Sequence, residues 1–151
     1  MGDTIFDKIV QGTIPSYKIW EDENFLAFLT PFPNTPGFTV VIPKKNLGDY
    51  AFTLSDSQYS SFLLAVKKVS SLLEKALKVK RVVLIIEGTA IPYIHAKLIP
   101  LHGDLANQAT IENNQTEFNE EYKGFLTTLE GPRMDDERLV SIQKQILSIQ
   151  T

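Results

Sequence analysis

Ile91-Pro92-Tyr93-Ile94-His95-Ala96-Lys97-Leu98-Ile99-Pro100-Leu101-His102 holds both histidines of this 151-residue chain. Between Pro92 and Pro100 the residues alternate. Tyr93, His95 and Lys97 fall on one side, and Ile94, Ala96 and Leu98 on the other. Period-two alternation predicts a strand with one buried face and one face toward water or a ligand. At a rise of about 3.3 Å per residue, side chains two apart stand about 6–7 Å from each other. A phenol, an imidazole and an ammonium would then face the same space. A phenol and an ammonium suit an anion, and an imidazole can attack phosphorus or carry a proton.

Working outward, Val82 to Ile86 is a continuous apolar run and reads as a central strand. Gly88 to Ile91 is a tight connection from it into the His95 strand. Upstream, Ser55 with Gln58 three residues on has the capping-box pattern. Phe62, Val66, Val69, Leu73 and Ala76 then form one apolar helical stripe. Near the start, Asp3 or Thr4 can cap a short helix carrying Phe6, Ile9 and Val10, ended by Gly12 and Pro15. Tyr17–Trp20 and Phe25–Leu29 flank the polar turn Glu21-Asp22-Glu23-Asn24 and predict a hairpin. Pro31, Pro33 and Pro36 exclude regular structure before the β-rich run Phe38–Ile42. Beyond Pro100 the polar stretch from Gly103 to Phe118 reads as a surface loop, and Tyr122 to Leu129 as a short strand. Asp135 and Asp136 open a C-terminal helix with Leu139, Ile142, Ile146 and Ile149 on one face.

Composition narrows the classes. With 43% hydrophobic residues and no internal repeat or linker, residues 1–151 predict a single domain with its own core. A net charge of −3 argues against a broad nucleic-acid surface. The absence of cysteine removes disulfides and thiolate ligands. The first residues lack the basic and apolar segments of a signal peptide. No apolar run approaches the roughly 20 residues of a membrane helix. The expectation is a cytoplasmic protein with no membrane or nucleic-acid partner.

Pro92-Tyr93-Ile94-His95-Ala96-Lys97-Leu98-Ile99-Pro100 resembles the signature of the histidine-triad (HIT) superfamily of nucleotide hydrolases and transferases, a proline and then H-x-H-x-H, with only the central histidine kept and Tyr93 and Lys97 at the flanking positions. Thr4-Ile5-Phe6-Asp7-Lys8-Ile9-Val10 with Gly12 and Ile14-Pro15 is similar to that family's opening. Glu21-Asp22 with Phe25-Leu26-Ala27-Phe28 is similar to its E-D-x-x-x-A-F hairpin. Pro36-Gly37-Phe38-Thr39-Val40-Val41-Ile42-Pro43-Lys44-Lys45 is similar to its P-G-H-x-L-V-I-P-K-x-H block. The resemblance covers about residues 4–102 as a core, with 103–151 as an extension. Tyr122-Lys123-Gly124-Phe125 and Gly131-Pro132-Arg133 are similar to the tail of some bacterial members, the diadenosine polyphosphate hydrolase-like branch.

The resemblance implies an α+β fold: an antiparallel sheet of about five strands, one long helix packed on it, a C-terminal helix, and a symmetric homodimer. It implies that His95 attacks the α-phosphorus of a nucleoside phosphate derivative and forms a nucleotidyl-histidine. Lys97 and Tyr93 would assist as phosphate contacts, or be strand-surface and half-buried strand residues. Phe6, Ile9 and Phe28 would wall a purine base, with Thr30, Phe38 and His102 completing the nucleotide-binding set. Thr30 stands where a family aspartate holds ribose, Phe38 and Asn46 where histidines stand. No cofactor or metal is implied. Because a lysine releases its proton reluctantly near neutral pH, the expected substrates carry good leaving groups, such as polyphosphates or acyl adenylates. Two function classes stay open: a hydrolase or nucleotidyl transferase acting through His95, and a non-catalytic nucleotide-binding or regulatory dimer.

Overall fold

The computed structural model of the protein describes residues 2–103 and 131–150. Thr4 caps α1 (Ile5–Val10) with a full capping box to Asp7. The hairpin β1 (Tyr17–Glu21) and β2 (Phe25–Leu29) follows, then β3 (Thr39–Pro43). Ser55 and Gln58 close a second capping box at the start of α2, Asp56–Leu77. β4 (Val82–Glu87) and β5 (His95–Pro100) form a second hairpin, and α3 spans Asp136–Leu147. The stretches expected to hold a polar loop and a strand between residues 104 and 130 lie outside the described residues.

The described strands form one antiparallel sheet in the order β1-β2-β3-β5-β4, an α+β architecture. β4 is therefore an edge strand, not the central strand its apolar run suggested, and its residues are half-buried apart from the exposed Leu84. The central positions belong to β2, β3 and β5, and both faces of these strands are covered. On one face Ala27, Leu29, Val41, Ile94, Ala96 and Leu98 pack under α2 and α3. On the other, Leu26, Phe28, Val40, Ile42 and Tyr93 pack with Phe6 of α1. Successive strand residues feed opposite cores, which is why β2 and β3 read as continuous apolar runs. The His95 face, expected to look toward water or a ligand, is covered by α1, so Tyr93 and His95 are buried, and His95 and Lys97 line a cavity beneath it.

The stripe of α2 behaves as its spacing predicts, with Phe62, Val66, Val69, Leu73 and Ala76 all in the core. Leu139, Ile142 and Ile146 of α3 join that same core, whereas Ile149 lies beyond the helix and is exposed. The helix α2 ends at Lys78, which takes the left-handed conformation at φ 55°. A side chain there carries a cost that glycine avoids. No helix among the described residues is long and apolar enough to cross a membrane.

Two substitutions test this packing by urea unfolding. Phe62→Ala, which empties a fully buried site against Phe25, should destabilise the protein by about 3–5 kcal/mol. Lys78→Gly should stabilise it by about 0.5–1 kcal/mol.

Candidate active site

Register builds the site. Across the sheet, Phe28 pairs with Val40 and Val40 with Lys97. Side chains at paired positions share a face, so these three lie in one row on the α1 side. On the other flank of β5, Glu87 pairs with His95 and Ile85 with Lys97. Glu87 therefore stands beside His95 and diagonal to Lys97. The β4–β5 connection is held tightly at this point. The Ile94 amide donates to the Gly48 carbonyl at 2.7 Å. A Cβ on Gly88 would sit 2.0 Å from the Asp49 carbonyl oxygen, so only glycine allows the approach.

A cavity of about 380 Å³ opens on this face. Phe6 and Ile9 of α1, Phe28 and Val40 of the sheet, and Phe38 make apolar walls, and Thr30 adds a hydroxyl. Glu87, His95 and Lys97 line it as well. Of the residues singled out in the sequence, Phe6, Ile9, Phe28, Thr30, Phe38, His95 and Lys97 thus come together. Tyr93 and His102 do not line the cavity. The Tyr93 ring is 0% exposed and packs edge-on to Phe6 at 5.7 Å. Its hydroxyl donates to the Pro43 carbonyl at 2.5 Å, so it does not reach a ligand beside His95. Burial holds that phenol protonated, with its pKa pushed up to about 12. His102 bonds instead through Nε2 to the Pro36 carbonyl at 2.8 Å. Thr30 turns its hydroxyl to the Phe32 amide, from which it accepts at 3.2 Å.

The imidazole of His95 is fixed by its neighbours. Nδ1 lies 2.7 Å from the Tyr93 carbonyl oxygen. A carbonyl only accepts, so Nδ1 carries the proton and Nε2 of the neutral ring presents its lone pair. The Phe6 ring packs against the imidazole with centroids 5.0 Å apart. Burial lowers the His95 pKa from its ordinary 6.5; the Tyr93 carbonyl and Glu87 raise it, Lys97 lowers it, and the net direction is down. Near neutral pH the ring is uncharged, the state that nucleophilic attack requires.

Glu87 is the functional candidate that the sequence reading missed. Its Oε1 lies 2.5 Å from Lys97 Nζ and 3.4 Å from His95 Nε2. Burial pushes its carboxyl up, but the hydrogen bond and charge of Lys97 outweigh that and leave it below the ordinary range. The signal was present: one acid ends the apolar run Val82–Ile86, at the place that hairpin pairing sets opposite His95. Lys97 is therefore paired with a carboxylate and not free. Among the described residues no group of three or more His, Cys, Asp or Glu side chains converges as a metal site would require.

Comparison with known proteins agrees with the fold. The HIT domain model matches residues 11–104. A HIT-like protein of Mycoplasma genitalium is 36% identical over 101 residues, 64% of this chain and 71% of that one. A HIT-like protein of Methanocaldococcus jannaschii is 39% identical over 71 residues, 47% of this chain and 54% of the relative, so the match spans about half of that protein. A solved structure described as a hypothetical histidine triad nucleotide-binding protein of Sulfolobus tokodaii superposes with a TM-score of 0.71. It is 25% identical and covers 95% of this chain and 89% of its own. The chain belongs to the HIT family.

The His95 environment has a measurable signature. Ring NMR should place its pKa below 6.5. Glu87→Gln, which removes a raising charge, should lower it further, and Lys97→Met should raise it. Because unfolded His95 takes up a proton more readily than folded His95, stability should fall as pH drops below about 6.5. Glu87, with its lowered pKa, should add to that loss at more acidic pH.

Proposed function

From membership of the HIT family, we propose that this protein is a nucleotide-binding hydrolase or nucleotidyl transferase that cleaves at the α-phosphate of a nucleoside phosphate derivative through His95. The observation that carries the reading is the Nδ1 bond to the Tyr93 carbonyl, which leaves the Nε2 lone pair beside an apolar cavity large enough for a small ligand. Phe6, Ile9 and Phe28 offer faces and edges for a purine. The nucleotide-binding description of the Sulfolobus tokodaii structure supports the same ligand class.

The chemistry divides into two displacements. In the first, the Nε2 lone pair forms a bond to the α-phosphorus. The bond from phosphorus to the leaving group breaks, and its electron pair departs with that group. In the second, a water oxygen or an acceptor hydroxyl forms a bond to phosphorus, the N–P bond breaks, and Nε2 regains its lone pair. The incoming oxygen loses its proton to solvent or to Glu87. Lys97 contributes positive charge where charge develops on the phosphoryl oxygens. Its ammonium is a poor proton donor near neutral pH, so leaving groups that depart without a proton are favoured. The competing reading, a non-catalytic nucleotide-binding dimer, keeps the same cavity and omits the two displacements.

The edge strand β4 also supports the dimer. Leu84 on it is 42% exposed and Leu64 of α2 is 61% exposed. A strand edge and apolar side chains left open to water favour pairing with a second copy across a two-fold axis.

A turnover screen over polyphosphates, adenylates and phosphoramidates separates the readings. His95→Ala should abolish turnover and leave nucleotide affinity within several-fold. Lys97→Ala should slow turnover by roughly 10–1,000-fold. Phe28→Asp should abolish binding in calorimetry with AMP and GMP. Sedimentation should show a dimer at micromolar concentration. No turnover on any substrate by wild-type dimer would leave the binding reading standing; a clean monomer would remove the assembly.

A further inference from the structure

The ion pair inside the cavity bears on which ligands the site accepts. An anion beside His95 would seek Lys97 Nζ, and that nitrogen already holds Glu87 Oε1 at 2.5 Å. The same oxygen stands 3.4 Å from His95 Nε2, the atom that would face a phosphorus. Glu87 Oε1 thus lies where an oxygen of a bound phosphate would lie, and two anionic oxygens cannot share it. Among the described residues that line the cavity, Glu87 and Lys97 are the charged side chains. With His95 neutral, the lining carries close to zero net charge.

We propose that Glu87 is a specificity-determining residue. Its carboxylate holds the anion position between His95 and Lys97, and so selects ligands with one negative charge at phosphorus against ligands with two or more. The ammonium has three donors. One can stay on Glu87 while another receives a singly charged phosphoryl oxygen. Each further negative charge meets the carboxylate at short range and finds no second cation among the described lining residues. Phosphodiesters and acyl adenylates fall on the accepted side, and terminal phosphate dianions, such as AMP and pyrophosphate present, on the disfavoured side. This choice among nucleotides rests on the function proposed above, whereas the competition between Glu87 and an anion does not.

The experiment titrates the full-length wild-type protein, Glu87→Gln and Glu87→Ala with three probes at one pH above the histidine range. The probes are AMP (a dianion), its 5′-methyl phosphodiester (a monoanion) and inorganic pyrophosphate. The His95 ring resonances report binding, and His102, held on the Pro36 carbonyl away from the cavity, serves as the internal reference. Wild type should bind the monoanion at least as tightly as AMP. Both Glu87 variants should bind AMP and pyrophosphate at least about tenfold more tightly than wild type, the scale of one adjacent charge. The monoanion should gain less. Lys97→Gln in the Glu87→Gln background should cancel the gain. If neither nucleotide binds but pyrophosphate tightens in both variants, the base-pocket reading fails and the role of Glu87 stands. Equal gains for AMP and the monoanion, or no gain for pyrophosphate, would overturn the proposal.

Discussion

Hairpin register between β4 and β5 is the constraint on which the site depends. Pairing Glu87 with His95 and Ile85 with Lys97 puts a carboxylate, an imidazole and an ammonium on one face within a few ångströms. A slip of one residue between them would turn Glu87 to the α2 side, into a packed apolar core, while β3 holds His95 and Lys97 where they are. The close approach of Gly88 to Asp49 and the bond from the Ile94 amide to Gly48 hold that register from the loop end. The β3–β5 pairing then brings Val40 and Phe28 into line, so the apolar wall and the reactive groups share one geometric origin.

The two covered faces of the sheet have different tasks. The face under α2 and α3 is filled with aliphatic and aromatic side chains. The face under α1 is only partly filled, because α1 is six residues long and covers Tyr93 and His95 while leaving a cavity beside them. Burial under α1 keeps His95 uncharged, and the Tyr93 carbonyl selects its tautomer. Tyr93 serves the site through its backbone oxygen and not through its phenol. The sequence departs from three histidines at this side chain, yet any residue at 93 supplies that carbonyl.

Local signals carried most of the fold. The α2 capping box, a cap at Asp3 or Thr4, the α2 stripe, the first hairpin and the proline-rich break are legible because each depends on residues within a few positions of one another. The position of β4 was not legible. An apolar run of Val82–Ile86 suits a buried central strand and equally an edge strand that meets a second surface, and strand order is set by pairings distant in sequence. The cover over the face of Tyr93, His95 and Lys97 was not legible for a related reason. Alternation on β5 reveals two faces but not that α1, some ninety residues earlier in the chain, covers the polar one. Glu87 was overlooked because its meaning comes from a partner across the hairpin. Once the register is assigned, the pairing sum that places Ile85 opposite Lys97 also places Glu87 opposite His95.

The most direct test of a catalytic His95 is to trap the intermediate. The protein is mixed with an adenylate-type substrate, quenched in acid within one turnover, digested and weighed by mass spectrometry. The account predicts an adenylyl group on the peptide that contains His95, none on the peptide that contains only His102, and none in His95→Ala. Turnover without any adduct on the His95 peptide would contradict covalent catalysis by this residue.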